Sequence, residues 1–213
     1  HKTLEEARKI AADFESTYKT TQIPYVHTLY GQEGYDTTGK ILTPPLKKGR
    51  PVPQLDLPDD NGIYIMASGS EIGKEIVEDQ ALQLQKQGHE ILFPPWLKLP
   101  FGKAALPDSV FHPGVKFVMG RMGWGIGWQS QVAGKPFVAM PHLWFDNPEI
   151  HFNLTALKES GLGMVFQAGD DLAEKAQTLT PRIREMNTKI AYELGIPQNM
   201  DGIRFAAEQI LKS

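Results

Sequence analysis

Residues 115–141 read VKFVMGRMGWGIGWQSQVAGKPFVAMP. Two apolar runs, VKFVMG (115–120) and PFVAMP (136–141), are short and bounded by glycine or proline, as buried strands are. Between them stand Arg121, Gly123, Gly125 and Gly127, with Trp124 and Trp128 one helical turn apart. A helix beginning near Trp124 therefore joins two strands, and a strand–helix–strand unit of this length makes the strands parallel.

The pattern repeats on both sides. GIYIMAS (62–68) is a strand and EIGKEIVEDQALQLQKQG (71–88) a helix, with Ile72, Ile76, Leu82 and Leu84 inward and Gly88 as its stop. HEILFPP (89–95) and GMVFQ (163–167) are further strands. A helix spans about Pro148 to Ser160, and another starts at Asp170. TPRIREMNTKIAYELG (180–195) and MDGIRFAAEQILKS (200–213) read as two more helices. PDSVFHP (107–113) fits a helix-like turn better than a catalytic Asp108–His112 pair. Apolar strands alternating with helices predict an α/β fold: a Rossmann-like, doubly wound parallel sheet of about five or more strands with helices on both faces.

The first 61 residues have another texture. HKTLEEARKIAADFESTYK (1–19) is an amphipathic helix, and residues 20–60 are dense in Pro and Gly around the short apolar pair Ile41–Leu42, as in a linker or domain edge. The chain opens at His1, and either a tag remnant or a piece of a longer polypeptide is expected.

Composition narrows the function classes. The 213 residues are 41% hydrophobic and 22% charged, enough for a proper core. A net charge of −3 gives no broad basic surface for nucleic acid. No cysteine is present, so disulfides and thiolate chemistry are excluded, and a reducing, cytoplasmic location is expected. No apolar run approaches the roughly 20 residues that span a bilayer. The histidines lack the paired spacing of a metal site, and no metal is expected.

In an open parallel sheet the ligand lies beyond the carboxyl ends of the strands, where loops turn into helices. Two such corners are glycine-rich: Ser68 to Gly73, and the turn at Arg121–Gly127. Small residues there let backbone N–H groups and the positive end of a helix approach an anion such as phosphate. The same glycines also serve turn geometry, and neither corner matches GxGxxG or the P-loop pattern.

Arg121-Met122-Gly123-Trp124, Gln129, Ala133-Gly134-Lys135-Pro136, FVAMP, Asp146-Asn147, Asn153 and LKESGLG follow one another over about fifty residues. In that order the run resembles the C-terminal, donor-binding half of GT-B glycosyltransferases, of the peptidoglycan N-acetylglucosaminyltransferase and UDP-glucuronosyltransferase type. The resemblance implies residues 1–61 as a remnant of the N-terminal half with a Pro-rich hinge, and 62–213 as the nucleotide-sugar-binding domain. It implies a substrate, a nucleoside diphosphate sugar with UDP the expected nucleotide, and no cofactor. It implies transfer of a hexose-type sugar to an acceptor, with inversion.

On this reading Gly69, Ser70, Arg121, Gly123 and Trp124 hold the diphosphate, with the N–H groups of Gly123 and Trp124 as donors and Arg121 as a forked cation. A surface ion pair is the other reading of Arg121. Gln129 stands where relatives carry a ribose-binding Glu, and it accepts more weakly for want of charge. Trp96 is placed to stack on the base, or else packs. Asp146, Asn147 and Glu149, with His151 as a further candidate, would hold the transferred sugar, although DNP is also a turn and helix-cap sequence. No residue presents itself as the catalytic base. In the families the chain resembles, that base and the acceptor site lie largely in the N-terminal half; the resemblance thus implies such a half, in cis or in trans, and a chain that is inactive alone. Two other functions remain open, a non-catalytic nucleotide- or partner-binding module and a nucleotide-sugar epimerase half.

Overall fold

A computed structural model describes residues 5, 6, 8, 9, 12, 26–28, 41–43, 54–57, 61–66, 73–143, 148–167, 169–195 and 201–212. Its main sheet has six parallel strands: β3 (Gly62–Met66), β4 (Glu90–Phe93), β5 (Lys103–Ala104), β6 (Val115–Gly120), β7 (Phe137–Ala139) and β8 (Gly163–Val165). Two earlier strands, β1 (Val26–Thr28) and β2 (Ile41–Thr43), form a separate parallel pair. The helices are α1 (Lys74–Lys86), α2 (Trp124–Val132), α3 (Pro148–Ser160), α4 (Leu172–Leu194) and α5 (Gly202–Lys212). Residues 5, 6, 8, 9 and 12 are helical as well.

The strand order is β5-β4-β3-β6-β7-β8. From β3 the chain first winds outward through β4 to β5, then returns to the other side of β3 and winds outward again through β6, β7 and β8. The doubly wound reading of the sequence is therefore the observed fold, and its direction of winding reverses between β3 and β6.

Alternation along the strands builds two cores. Ile63 and Ile65 of β3, with Phe117 and Met119 of β6, face α1 through Val77, Ala81 and Leu84. Tyr64 and Val118 face the opposite side, where α2 and α3 contribute Ile126, Ile150, Leu154 and Leu157. α4 serves both layers, placing Leu172 and Ala176 in the first and Ile183 in the second. All the core side chains named here are at most 8% exposed, so the sheet is covered on both faces.

Three features depart from the sequence reading. β5 is a two-residue exposed strand with no apolar pattern, and the chain leaves it through a 3-10 turn at Pro107–Phe111 rather than an α-helix. Residues 172–194 form one helix, not two, with Pro181 inside it. A proline at this point removes one backbone hydrogen bond, but the apolar face continues unbroken through Ala176, Ile183 and Ile190. Asp171 caps that helix by accepting from Glu174 N–H at 3.0 Å, and Gly195 ends it in the left-handed conformation. β1 is the third departure, a strand within a stretch read as linker.

Candidate functional site

Gly120 closes β6, and its place is fixed by the neighbouring strand. A Cβ there would lie 1.9 Å from the carbonyl oxygen of Met66 at the end of β3. Only glycine lets the two strand ends approach this closely at the point where the winding reverses.

The chain then makes a tight turn. Gly123 N–H donates to Arg121 O at 2.9 Å, Met122 is buried in the core, and its carbonyl accepts from Asn153 Nδ2 of α3 at 3.1 Å. Gly123 caps α2 in an extended conformation (φ −89°, ψ 155°) without a side-chain cap. A Cβ on Gly123 would meet nothing within 4 Å, so the fold itself does not require glycine there. No described residue accepts from the N–H groups of Gly125 or Ile126 in the first turn of α2. These are donors that a helix start leaves without intrahelical partners.

A cleft of about 340 Å³ opens at this place, lined by Met66 from β3, Arg121, Gly123, Gly125, Ile126 and Gln129 around α2, and Pro107 from the 3-10 turn. It sits beyond the carboxyl ends of β3 and β6, at the reversal of winding. The structure thus brings Arg121, Gly123 and Gln129 together in one cavity. The N–H of Gly123, expected to face a ligand, is instead engaged within the turn, and the open donors begin one step into the helix.

Gln129 is 7% exposed, and its Nε2 donates to Pro107 O at 2.7 Å. The amide nitrogen therefore ties α2 to the far wall of the cleft, a bond that a glutamate could not donate. That wall is held a second time, by Tyr64 Oη donating to Ala105 O at 3.0 Å. Burial, reinforced by Asp108, pushes the Tyr64 phenol well above its ordinary range.

The other expected site residues are dispersed. Trp96, 57% exposed on the loop after β4, does not line the cleft. Glu149 is exposed in the first turn of α3, also away from the lining, and its Oε1 accepts from Asn153 Nδ2 at 3.4 Å. His151 of the same helix meets His142 edge to face, with ring centroids 5.4 Å apart. Gly69, Ser70, Asp146 and Asn147 lie outside the described residues, as does the side chain of Trp124. Trp128, expected in the core, is half-buried and packs against it.

Met66 and Pro107 went unnoticed in the sequence reading. Met66 was accessible to it, because the last residue of the first regular strand borders the reversal in any sheet of this order. Pro107 carried no such signal. Among the described residues, no cluster of three or more His, Asp or Glu side chains could hold a metal ion, and no helix is long and apolar enough to cross a membrane.

No protein-family model matches the chain, and no curated protein matches it in sequence. Solved structures do match in fold. A UDP-glucosyltransferase from Polygonum tinctorium capable of glucosylating indoxyl, in complex with 3,4-dichloroaniline, aligns with 98% of this chain and 58% of its own at a TM-score of 0.63 and 16% identity. The calicheamicin glycosyltransferase CalG4 aligns with 98% of this chain and 60% of its own, at a TM-score of 0.61 and 15% identity. Medicago truncatula UGT71G1, complexed with UDP-glucose, covers 82% of this chain and 50% of its own at 0.50 and 17%. The chain spans between half and three-fifths of the length of these neighbours. Over that shared length it has the fold of the C-terminal half of a GT-B glycosyltransferase.

Proposed function

We propose that the cleft between β3 and β6 binds the diphosphate of a nucleoside diphosphate sugar, with UDP the nucleotide, and that the chain is the donor half of an inverting glycosyltransferase. One observation carries this reading. Arg121 and the uncapped start of α2 converge on a single cavity at the point where the sheet reverses its winding. A leaving diphosphate develops negative charge, and preorganised N–H donors with a guanidinium stabilise it as it forms. Gln129 retains its Oε1 as an acceptor for a ribose hydroxyl. Asp146, Asn147 and Glu149 are assigned to the sugar, Gly69 and Ser70 to the phosphates, and Trp96 to the base.

Residues 1–61 are assigned to the preceding half and its hinge, and 62–213 to the donor domain. The isolated β1–β2 pair supports this division, because two strands make too small a sheet to stand alone. α5 supports it too, packing back against β2. The neighbours' greater length fits an acceptor-binding half, in cis or in trans, that supplies the catalytic base, and the chain is then inactive without it. The absence of cysteine fits action in a reducing compartment such as the cytoplasm.

Titration with UDP, dTDP and GDP, followed by tryptophan fluorescence, tests the reading. UDP binds, and Arg121→Ala weakens UDP by about tenfold or more while leaving uridine unchanged, since only the diphosphate meets the guanidinium. Equal losses for both ligands remove Arg121 from the phosphate site. Silence toward all three nucleotides at millimolar concentration favours a partner-binding module.

A further inference from the structure

Asn153 is a fully buried amide in an apolar neighbourhood. It is 0% exposed on the face of α3 that carries Ile150, Leu154 and Leu157 into the core. Its Nδ2 reaches two acceptors, Met122 O at 3.1 Å and Glu149 Oε1 at 3.4 Å. Its Oδ1 is buried with no hydrogen-bond partner. Two acceptors around one end of the amide dictate which end is nitrogen, so this orientation follows from the chemistry.

The orphaned oxygen is a standing cost that an apolar residue of similar size would avoid. What the amide supplies in return is local. Met122 is the middle residue of the turn closed by Gly123 N–H and Arg121 O, and its side chain is already anchored in the core. Holding its carbonyl as well fixes the peptide plane between Met122 and Gly123. That plane sets both the direction in which Arg121 leaves β6 and the angle at which α2 begins.

Resting on the donor-site reading, we infer that Asn153 is a positioning residue for the diphosphate. It does not touch the ligand. It locks the turn that aims Arg121 and the first-turn N–H groups of α2 into the cleft, and through Glu149 it joins that turn to the start of α3. A misaimed guanidinium loses most of a directional, charge-assisted contact, whereas the nucleoside end of the ligand is unaffected.

The test compares UDP and uridine affinities of the 213-residue chain with those of Asn153→Leu, Asn153→Ala, Arg121→Ala and the Asn153→Leu/Arg121→Ala double variant. Asn153→Leu removes the donor and the orphaned acceptor together while keeping the core filled, and Asn153→Ala is the second variant. The expected result is a drop of about tenfold in the preference for UDP over uridine in both Asn153 variants. Uridine binding stays constant, and Arg121→Ala costs markedly less in the Asn153→Leu background than in the wild type. A merely structural Asn153 would leave the preference unchanged and the two substitutions additive, and that result overturns the inference. Failure of both Asn153 variants to fold also overturns it. A wild-type chain that binds uridine as well as UDP refutes the donor-site reading itself, and this inference with it.

Discussion

Gly120→Ala and Gly123→Ala lie three residues apart and should behave oppositely. At Gly120 the added methyl would sit 1.9 Å from Met66 O and 2.8 Å from Met66 C, both backbone atoms of the adjoining strand. The strands must separate, at a cost of about 3 kcal/mol or more. In a domain of this size that lowers the melting temperature by roughly 6–12 °C. At Gly123 the backbone is already extended and the methyl meets nothing. Alanine is a poorer helix cap than glycine but restricts the unfolded chain, and the two effects, each within about 1 kcal/mol, largely cancel. The methyl of Gly123→Ala does enter the cleft, where UDP affinity should fall by about tenfold, one contact's worth. Thermal unfolding with calorimetric titration of UDP separates the two effects. Gly123→Ala binding UDP like the wild type would place the ligand away from α2's start, and Gly120→Ala melting like the wild type would mean the strand ends have room for a methyl.

Tyr64→Phe should destabilise the fold by about 1–2 kcal/mol by stranding Ala105 O. Because the folded phenol is raised above its ordinary value of about 10, its contribution is complete below that pH and declines as pH rises further. The stability difference between wild type and variant, measured by urea denaturation, should therefore shrink above about pH 10. Gln129→Glu loses the donor to Pro107 O and sets a carboxylate against a carbonyl, and it should cost about 1–3 kcal/mol in the same assay. At the amino ends of β3 and β4, His89 bonds Asn61 Oδ1 at 2.9 Å, and burial, aided by Lys116, holds its imidazole below the usual range. Its neutral form is the one that fits, so stability is full above about pH 6.5 and falls as the solution is acidified through the folded value. His89→Gln should flatten that acid limb of the stability profile, and an unchanged limb would exclude His89 as its source.

The parallel sheet was legible because its strands announce themselves. GIYIM, EILF and VKFVMG are dense apolar runs closed by glycine, proline or polar residues, and they became β3, β4 and β6. Lys103–Ala104 could not be read as β5, since both residues are exposed and the strand exists only through pairing with Leu92 and Phe93. The stretch from Thr180 to Gly195 reads as a helix of its own, and a proline such as Pro181 is locally favoured in a helix's first turn. Tertiary burial on both sides of it outweighed that local preference. At the site, Arg121, Gly123 and Gln129 could be found from glycine spacing and from family resemblance. The bond from Gln129 to the cleft wall could not, because its partner Pro107 lies 22 residues away on a turn with no motif. Asn153 was legible as part of a motif, but its bond to Met122 spans 31 residues and needed the fold.

On the proposed reading the mouth between β3 and β6 grips a diphosphate. A crystal structure of the chain with UDP tests it most directly. The diphosphate is expected within hydrogen-bonding distance of the Arg121 guanidinium and of the N–H groups of Gly125 and Ile126, with Gln129 Oε1 facing the ribose. Diphosphate density elsewhere on the molecule, with this mouth holding no part of the nucleotide, would contradict it.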